Sequence, residues 1–436
     1  MIPETPHIRR HALVVAYYFP PLGLSGVQRV SKLVKYLPEN GWNVTVLTVE
    51  PGAYFAFDDE LLGDVEGDGV TIVRTKTTDP TMRRDGRSVV PFPDESKRRV
   101  FSWLSQLLLI PDNKIGWKKH ALKEGRRLLA KHSFDLVYAT APPYTCFLVG
   151  EALAREAGLP LVLDYRDDWV SNPRHRYPTL LHKYLTSRKE RGALSQAGTV
   201  IAINQTIADL IKSRVPHAST VVVPQGYDPE DFTSVSKPEE LPDSEEQRKM
   251  TFLYTGMFYD AQQPDVFLRA FAAVLNANTD YREYVSARFV GLFSERALRL
   301  VSELGLEPNV EVLGYQNHSS SISELENCDV AWMTIGQQPG AAMISTGKMY
   351  EYMGSGKPIL ALIPEGEARR ALEPYNASYI CDPSDEKAVS MMIEKLIQDK
   401  EKDLLPRGND SYSARFDRRK LTAAVVGIFN QLIEGE

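Results

Sequence analysis

"HALVVAYYFPPLGLSGVQRV", His11 to Val30, passes from an apolar run through a proline- and glycine-rich loop into residues that recur at helical spacing. Ala12 to Phe19 has the length of a strand, while Val27, Val30, Val34 and Leu37 mark one face of a helix. "NVTVLTV" follows Gly41 as the next strand. Strand, turn, amphipathic helix and strand make a βαβ unit, whose parallel sheet is covered on both faces. "TIVRT", "FDLVYAT", "LPLVLDY", "GTVIAIN" and "STVVVPQG" continue the alternation. Beyond "PEDFTSVSKPEELPDSEEQRK", a polar, acidic stretch with three prolines, it restarts. "MTFLYTG", "SARFVG", "VEVLGY", "DVAWMTI", "KPILALI" and "ASYIC" are the strands of this second series. Leu421, Val425, Ile428 and Leu432 then share a face of a closing helix. The pattern predicts two tandem Rossmann-like, doubly wound α/β domains. The expected boundaries are 1–228, a linker at 229–249, 250–410, and a terminal helix at 411–436. A ligand is expected in the cleft where the strands' carboxyl ends face each other.

The 436 residues carry a net charge of −6, which disfavours nucleic acid as a partner. Cys146, Cys328 and Cys381 are far apart and odd in number, a reduced, cytoplasmic pattern without a disulfide framework or metal site. The N-terminus does not read as a signal peptide, and no apolar stretch approaches the ~20 residues of a transmembrane helix. Charge is uneven, however: between Arg83 and Lys131 stand 13 Lys/Arg against 5 Asp/Glu. Solvated helix faces account for that, and so does an anionic ligand or membrane surface. Within it, "RRVFSWLSQLLLIPDNKIGWKK" (98–119) sets Arg98, Arg99, Ser102, Ser105 and Gln106 on a polar stripe. Val100, Phe101, Trp103, Leu104, Leu107 and Leu108 form a broad apolar face. Such a helix suits either a membrane interface or a protein core.

"STGKMYEYMGSGKPILAL", Ser345 to Leu362, holds two Gly-Lys pairs but is no Walker loop. Six residues separate Gly340 from Gly347, Met349 replaces the Mg²⁺-binding hydroxyl, and Pro358 removes an N–H. A turn opening a helix remains, in which Ser345 can cap while the N–H groups of Thr346, Gly347 and Lys348 meet an anion. Lys348 and Glu351 share a face, as an intrahelical ion pair or as ligands of phosphate and ribose. Gly23 and Gly26 offer a similar strand-to-helix turn in the first half. It lacks the third glycine of a dinucleotide fingerprint, so a dehydrogenase is disfavoured. In "DYRDDW", Asp164 to Trp169, Asp167 and Asp168 could orient an acceptor hydroxyl or serve as its base, and Arg166 could meet phosphate. An Arg–Asp pair with helix capping is the structural alternative. His175 and His182 read as surface residues without metal-ligand spacing.

Taken together, the chain resembles a GT-B glycosyltransferase of the retaining family 4 type. "YYFPPLGLSGVQRVSKLVKYL", "FDLVYATAPPYT", "LVLDYRDDW", "VVPQGYD", "FLYTGMFY" and "STGKMYEYMGSGKPILAL" arrive in family order. The last is similar to the family's Ser-Thr-Lys-x-x-Glu-Tyr donor signature. The resemblance implies that Gly23, Ser25 and Gly26 approach the donor diphosphate. Ser345, Thr346, Gly347 and Lys348 would hold it, with Gly256 and Gln263 contributing. Glu351 would grip the ribose, Gly314 and Tyr315 would line the base, and the closing helix would return to the first domain. The chain departs from the family at Met343, where the first glutamate of Glu-x₇-Glu belongs. It also carries Gln262 and Gln263 near a usual Arg or Lys, and "ATAPPYT" lacks a histidine.

The resulting expectation is a metal-independent, cofactor-free enzyme moving sugar from a nucleotide-diphosphate sugar, by family frequency UDP-linked, to a hydroxyl acceptor with retention. Lys348 and Asp167 are its catalytic candidates, with Arg166, Asp167 and Asp168 on the acceptor side. The setting would be polysaccharide or glycolipid synthesis, in the cytoplasm or on the inner membrane face, with a lipid-linked acceptor as one option. A nucleotide-sugar epimerase of the same fold and a non-catalytic sugar-nucleotide- or partner-binding protein are the alternatives.

Overall fold

Strand β1 (Arg10–Val15) is flanked on both sides by parallel partners, which explains why Ala12, Leu13, Val14 and Val15 are all fully buried and all apolar. The computed structural model describes residues 9–79, 82, 87–90, 103, 105–172, 175, 177–233 and 249–435. β2 (Trp42–Val49), β4 (Val70–Thr75), β6 (Leu136–Ala141), β7 (Leu161–Tyr165), β8 (Thr199–Ala202) and β9 (Thr220–Val222) complete a parallel sheet in the order β4-β2-β1-β6-β7-β8-β9. Two short strands, β3 (Ala53–Tyr54) and β5 (Ser88–Val89), pair separately. The order reverses between β1 and β6, so the loops leaving these strands diverge and open a crevice at their carboxyl ends.

The second sheet repeats the plan with β10 (Met250–Thr255), β11 (Val285–Val290), β12 (Val310–Gly314), β13 (Val330–Thr334), β14 (Ile359–Leu362) and β15 (Ser378–Cys381). Its order is β12-β11-β10-β13-β14-β15, reversing between β10 and β13. The chain divides into two compact units, residues 1–224 with 418–436, and residues 225–417. Pro229–Thr233 is a helical turn, and the rest of the acidic stretch through residue 248 lies outside the described residues.

The closing helix, Arg418–Glu434, belongs to the first unit. Its buried stripe is Thr422, Val425, Val426 and Phe429, with Leu421, Ile428 and Leu432 only partly covered, so the core-facing side is rotated from the expected one. Phe429 meets Trp42 and Tyr138 edge-on, and Arg10 reaches Asn430 and Glu434 at 2.7 Å each. The three cysteines are buried thiols, none in a disulfide. Among the described residues, no helix is long and apolar enough to cross a membrane.

Candidate functional site

In the second unit, the switch point gathers three glycines and a lysine. Gly256 leaves β10 with φ 115°, and its N–H donates to the Val290 carbonyl at 2.7 Å. Gly291 leaves β11 with φ 127°, and its N–H donates to Gly314 at 2.7 Å. A Cβ on Gly291 would sit 2.0 Å from the Gly256 carbonyl oxygen, so only glycine lets the two loops stack this closely. Gly314 ends β12 at φ 72°, next to exposed Tyr315. In the following residue, Gln316, the side-chain carbonyl oxygen is buried without a hydrogen-bond partner.

Helix Gly347–Gly354 follows the β13 loop and is held by Tyr352, whose hydroxyl accepts from the Thr255 N–H at 2.9 Å. Its N-cap is Thr346, not the expected Ser345, and no side chain caps it. Ser345 is buried one residue earlier. The amides of the first turn therefore lack a side-chain acceptor, which suits an anion. A Cβ on Gly347 would meet nothing within 4 Å. The fold itself does not demand glycine there.

Lys348 reaches back across the β10 end. Its ammonium lies 3.7 Å from the centre of the Tyr254 ring and 3.0 Å from where a Gly256 Cβ would stand. Among the described residues it makes no hydrogen bond or ion pair, and Glu351 acts on it only through its field. Burial is the dominant influence, and the amine is pushed down from 10.5 to about 7 despite Glu351. Of the two readings of Lys348 and Glu351, the intrahelical ion pair is not formed. Gln263 donates from its side-chain amide to the Asp260 carbonyl at 2.9 Å and closes the β10 loop on itself. Met343 lies in the short 3₁₀ turn Ala341–Met343, partly buried.

At the first unit's switch point, Gly23 donates its N–H to Ala56 at 2.9 Å, and helix Ser25–Tyr36 starts after Leu24 without a side-chain cap. Ser25 and Gly26 are exposed, and a Cβ on Gly26 would meet open space. Arg166 is committed to backbone: it donates to the carbonyls of Ala141 at 3.2 Å, and of Gly26 and Pro142. It ties the β6 and β7 ends to the start of the helix, and thus acts as a positioning residue rather than a free phosphate ligand. The ion pair of the β7 end joins Asp164 to Arg29 at 2.8 Å, and Arg29 also donates to the carbonyls of Val223 and Pro224. Burial opposes ionisation of Asp164, but the Arg29 guanidinium outweighs it and holds the carboxyl below its usual range.

Asp168 is likewise buried, 2.5 Å from Arg214, and accepts the Ser171 N–H at 2.6 Å. Arg214 also holds Glu190 at 2.8 Å, whose carboxyl burial pushes up to about 7. Asp167 alone of the three "DYRDDW" carboxylates retains partial exposure. His175 is partly buried rather than a surface residue: its ring Nδ1 donates to the Trp169 carbonyl at 2.9 Å, the ring packs edge-on to Tyr144, and burial lowers its pKa. The sequence reading missed Tyr254 and Gln316. Neither has a local signal, because each matters through a loop contributed by another strand.

Two family descriptions match the chain: the Glycosyl transferase 4-like domain over residues 25–226, and Glycosyl transferases group 1 over residues 249–399. The chain belongs to the group 1 glycosyltransferases and has the GT-B fold. Solved structures agree on the fold. A glycosyltransferase from Rickettsia africae matches at 13% identity and TM-score 0.64, covering 98% of this chain and 100% of that one. Sucrose-phosphate synthase from Thermosynechococcus elongatus matches at 14% and 0.67, covering 98% and 100%. Anabaena HepE in complex with UDP-glucose matches at 18% and 0.63, covering 97% and 99%. No curated protein sequence matches.

Proposed function

We propose that the protein transfers a sugar from a UDP-sugar to a hydroxyl acceptor with retention of configuration and without a metal, in the synthesis of a surface polysaccharide or glycolipid. The observation that carries this is Lys348, a cation without a hydrogen-bond acceptor, set beside glycine loops and the uncapped start of Gly347–Gly354. A diphosphate supplies the missing acceptor, and the same ammonium stabilises the negative charge of the leaving group. Glu351, on the next turn of the helix, would accept from ribose hydroxyls. Tyr315 and Gln316 would meet the base. The UDP-glucose in the HepE structure supports the choice of donor.

In the retaining reading, the departing phosphate helps deprotonate the acceptor hydroxyl, so no separate strong base is needed. Asp167 would orient that hydroxyl, while Arg166 and Asp168 fix the loop around it. Gly23, Ser25 and Gly26 belong to the same proposal as close-approach residues toward the donor. Gln263 is neutral and can bond phosphate without neutralising it, leaving Lys348 the main charge.

The test is incubation with UDP-glucose and a pool of hydroxyl acceptors, with products followed by proton NMR. UDP release coupled to a glycoside of the donor's anomeric configuration is expected. An inverted glycoside refutes retention. Conversion of the donor sugar without an acceptor would make the protein an epimerase, and binding without any turnover would make it a sugar-nucleotide-binding protein.

A further inference from the structure

The first unit exposes an apolar face assembled from two segments far apart in sequence. Residues 105–108 form a helical turn, and Trp103, Leu107, Leu108 and Leu109 around it are 47%, 38%, 78% and 36% exposed. Helix Leu180–Gln196 begins with Leu180, Leu181 and Tyr184 at 87%, 60% and 58% exposure. These values decide the matter, since large apolar side chains in so dense a group rarely face water without a partner. His182 fastens the segments together. One ring nitrogen donates to the Leu107 carbonyl at 3.1 Å, and the other accepts from the Thr179 hydroxyl at 2.8 Å. The patch is therefore a built surface, not two independent loops.

The amphipathic helix expected at 98–119 is not continuous. Arg98, Arg99, Val100, Phe101, Ser102 and Leu104 lie outside the described residues. Downstream, Trp117 is in the core, donating to Thr75 at 2.7 Å, and Lys114 is buried against Asp79. Of the described large apolar residues in that segment, Trp103 and Leu107–Leu109 face outward. What the sequence did not reveal is its second half, supplied by the helix at Leu180.

Charge identifies what the face meets. On Leu180–Gln196, Leu180, Tyr184, Arg188 and Arg191 recur four, four and three apart and form one stripe. Lys183 stands beside it, also exposed. The helix's one carboxylate, Glu190, is buried and bound to Arg214, so no acid on this helix offsets these cations. Lys118 lies close enough to Lys189 for the two ammonium groups to repel, with Glu151 the acid nearby. An apolar leading edge backed by cations is the chemistry of an anionic bilayer surface.

We infer that the face formed by Trp103, Leu107–Leu109 and Leu180–Tyr184 seats the first unit on an anionic lipid surface. The leucines and Trp103 enter the interface, and Lys183, Arg188 and Arg191 meet headgroup phosphates. This deepens the glycolipid setting proposed above by naming a two-segment contact. Its test reads lipid binding alone, so its failure leaves the donor site standing.

The full chain is mixed with vesicles of zwitterionic lipid, or of the same lipid with about 30% phosphatidylglycerol, at low and high salt. Binding should need the anionic lipid and weaken with salt. Trp103 provides a second readout, because the other four of the five tryptophans, Trp42, Trp117, Trp169 and Trp332, are buried. Its emission should shift to the blue and escape an aqueous quencher on binding. Leu180→Ser with Leu181→Ser alters two exposed side chains, so thermal unfolding should be unchanged while partitioning drops about tenfold or more. Binding without any Trp103 response, or with full affinity in the double variant, overturns the inference. Absence of vesicle binding with concentration-dependent self-association assigns the face to a second copy of the chain, and also overturns it.

Discussion

Lys348 offers the sharpest test of the donor site, because the same lysine must be a burden to the free protein and an asset to the complex. Its amine falls from 10.5 to about 7, chiefly by burial, which corresponds to ~5 kcal/mol favouring the neutral form. With UDP-glucose, whose phosphodiesters do not titrate near neutrality, the bound amine should return toward its ordinary pKa. At pH 8 most of the free sites are then neutral and most of the bound sites charged, so binding should take up close to one proton. Calorimetry in buffers of differing ionisation enthalpy measures this uptake directly. Affinity should be flat below about pH 7 and fall by up to tenfold per pH unit above it. The free protein should show the converse. Between about 7 and 10.5 the unfolded chain binds more protons than the folded one, so the second unit should gain stability as pH rises through that window. Lys348→Met should abolish the uptake, weaken UDP-glucose, and raise the melting temperature at pH 6. Zero proton uptake at pH 8 in the wild type, or the same uptake in Lys348→Met, refutes the assignment.

Other outcomes follow from the same geometry. Glu351→Ala should weaken uridine and UDP-glucose alike by about 1.5–3 kcal/mol, whereas Lys348→Met should leave uridine untouched; titration with both ligands separates the two. Gly291→Ala should destabilise the second unit, because its Cβ would lie 2.0 Å from the Gly256 carbonyl oxygen and the φ of 127° is strained for any side chain; chemical denaturation and UDP-glucose affinity should both suffer. Arg29→Leu leaves Asp164 buried without its cation and should cost about 3–5 kcal/mol in urea unfolding. The wild type should lose that pair's contribution as pH falls through the depressed carboxyl pKa. Excess EDTA should leave transfer activity unchanged, with loss of activity that a divalent ion restores counting against the metal-free mechanism.

The sheets were legible because parallel strands buried on both faces must be apolar throughout, and Ala12–Val15 and Ile359–Leu362 are both fully or almost fully buried. The Ser345–Glu351 turn was legible for a related reason: glycine and hydroxyl residues between a strand and a helix are a local pattern. What a local pattern cannot carry is the partner. Tyr254 comes under Lys348 because β10 and β13 are neighbours in the sheet, and nothing in "FLYTG" announces it. Arg29 and Asp164 are 135 residues apart, so the "DYRDDW" carboxylates could not be sorted into structural and available by inspection. His175 looked polar and exposed for want of the Tyr144 ring that covers it. Leu180 and Leu181 resemble ordinary helix-start leucines until their exposure is known.

The two ends of the argument meet in how each cluster of charge is satisfied. In the first unit, Asp164, Asp168 and Glu190 all have arginine partners, and Arg166 spends its donors on carbonyls. Those residues are complete without a ligand, and their loss should show first in folding. In the second unit, Lys348 has only an aromatic face and a distant carboxylate, while the amides beside it have no side-chain cap. Cation–π contact offsets part of the cost of burying the ammonium, about 0.5–2 kcal/mol against the ~5 kcal/mol of its pKa displacement. The remainder is uncompensated in the free protein. A doubly charged diphosphate placed there recovers it on binding and retains it as the bond to the sugar breaks, when charge on the leaving oxygen grows. The ground state gains less from Lys348 than the transition state does, so Lys348→Met should depress kcat further than it raises KM.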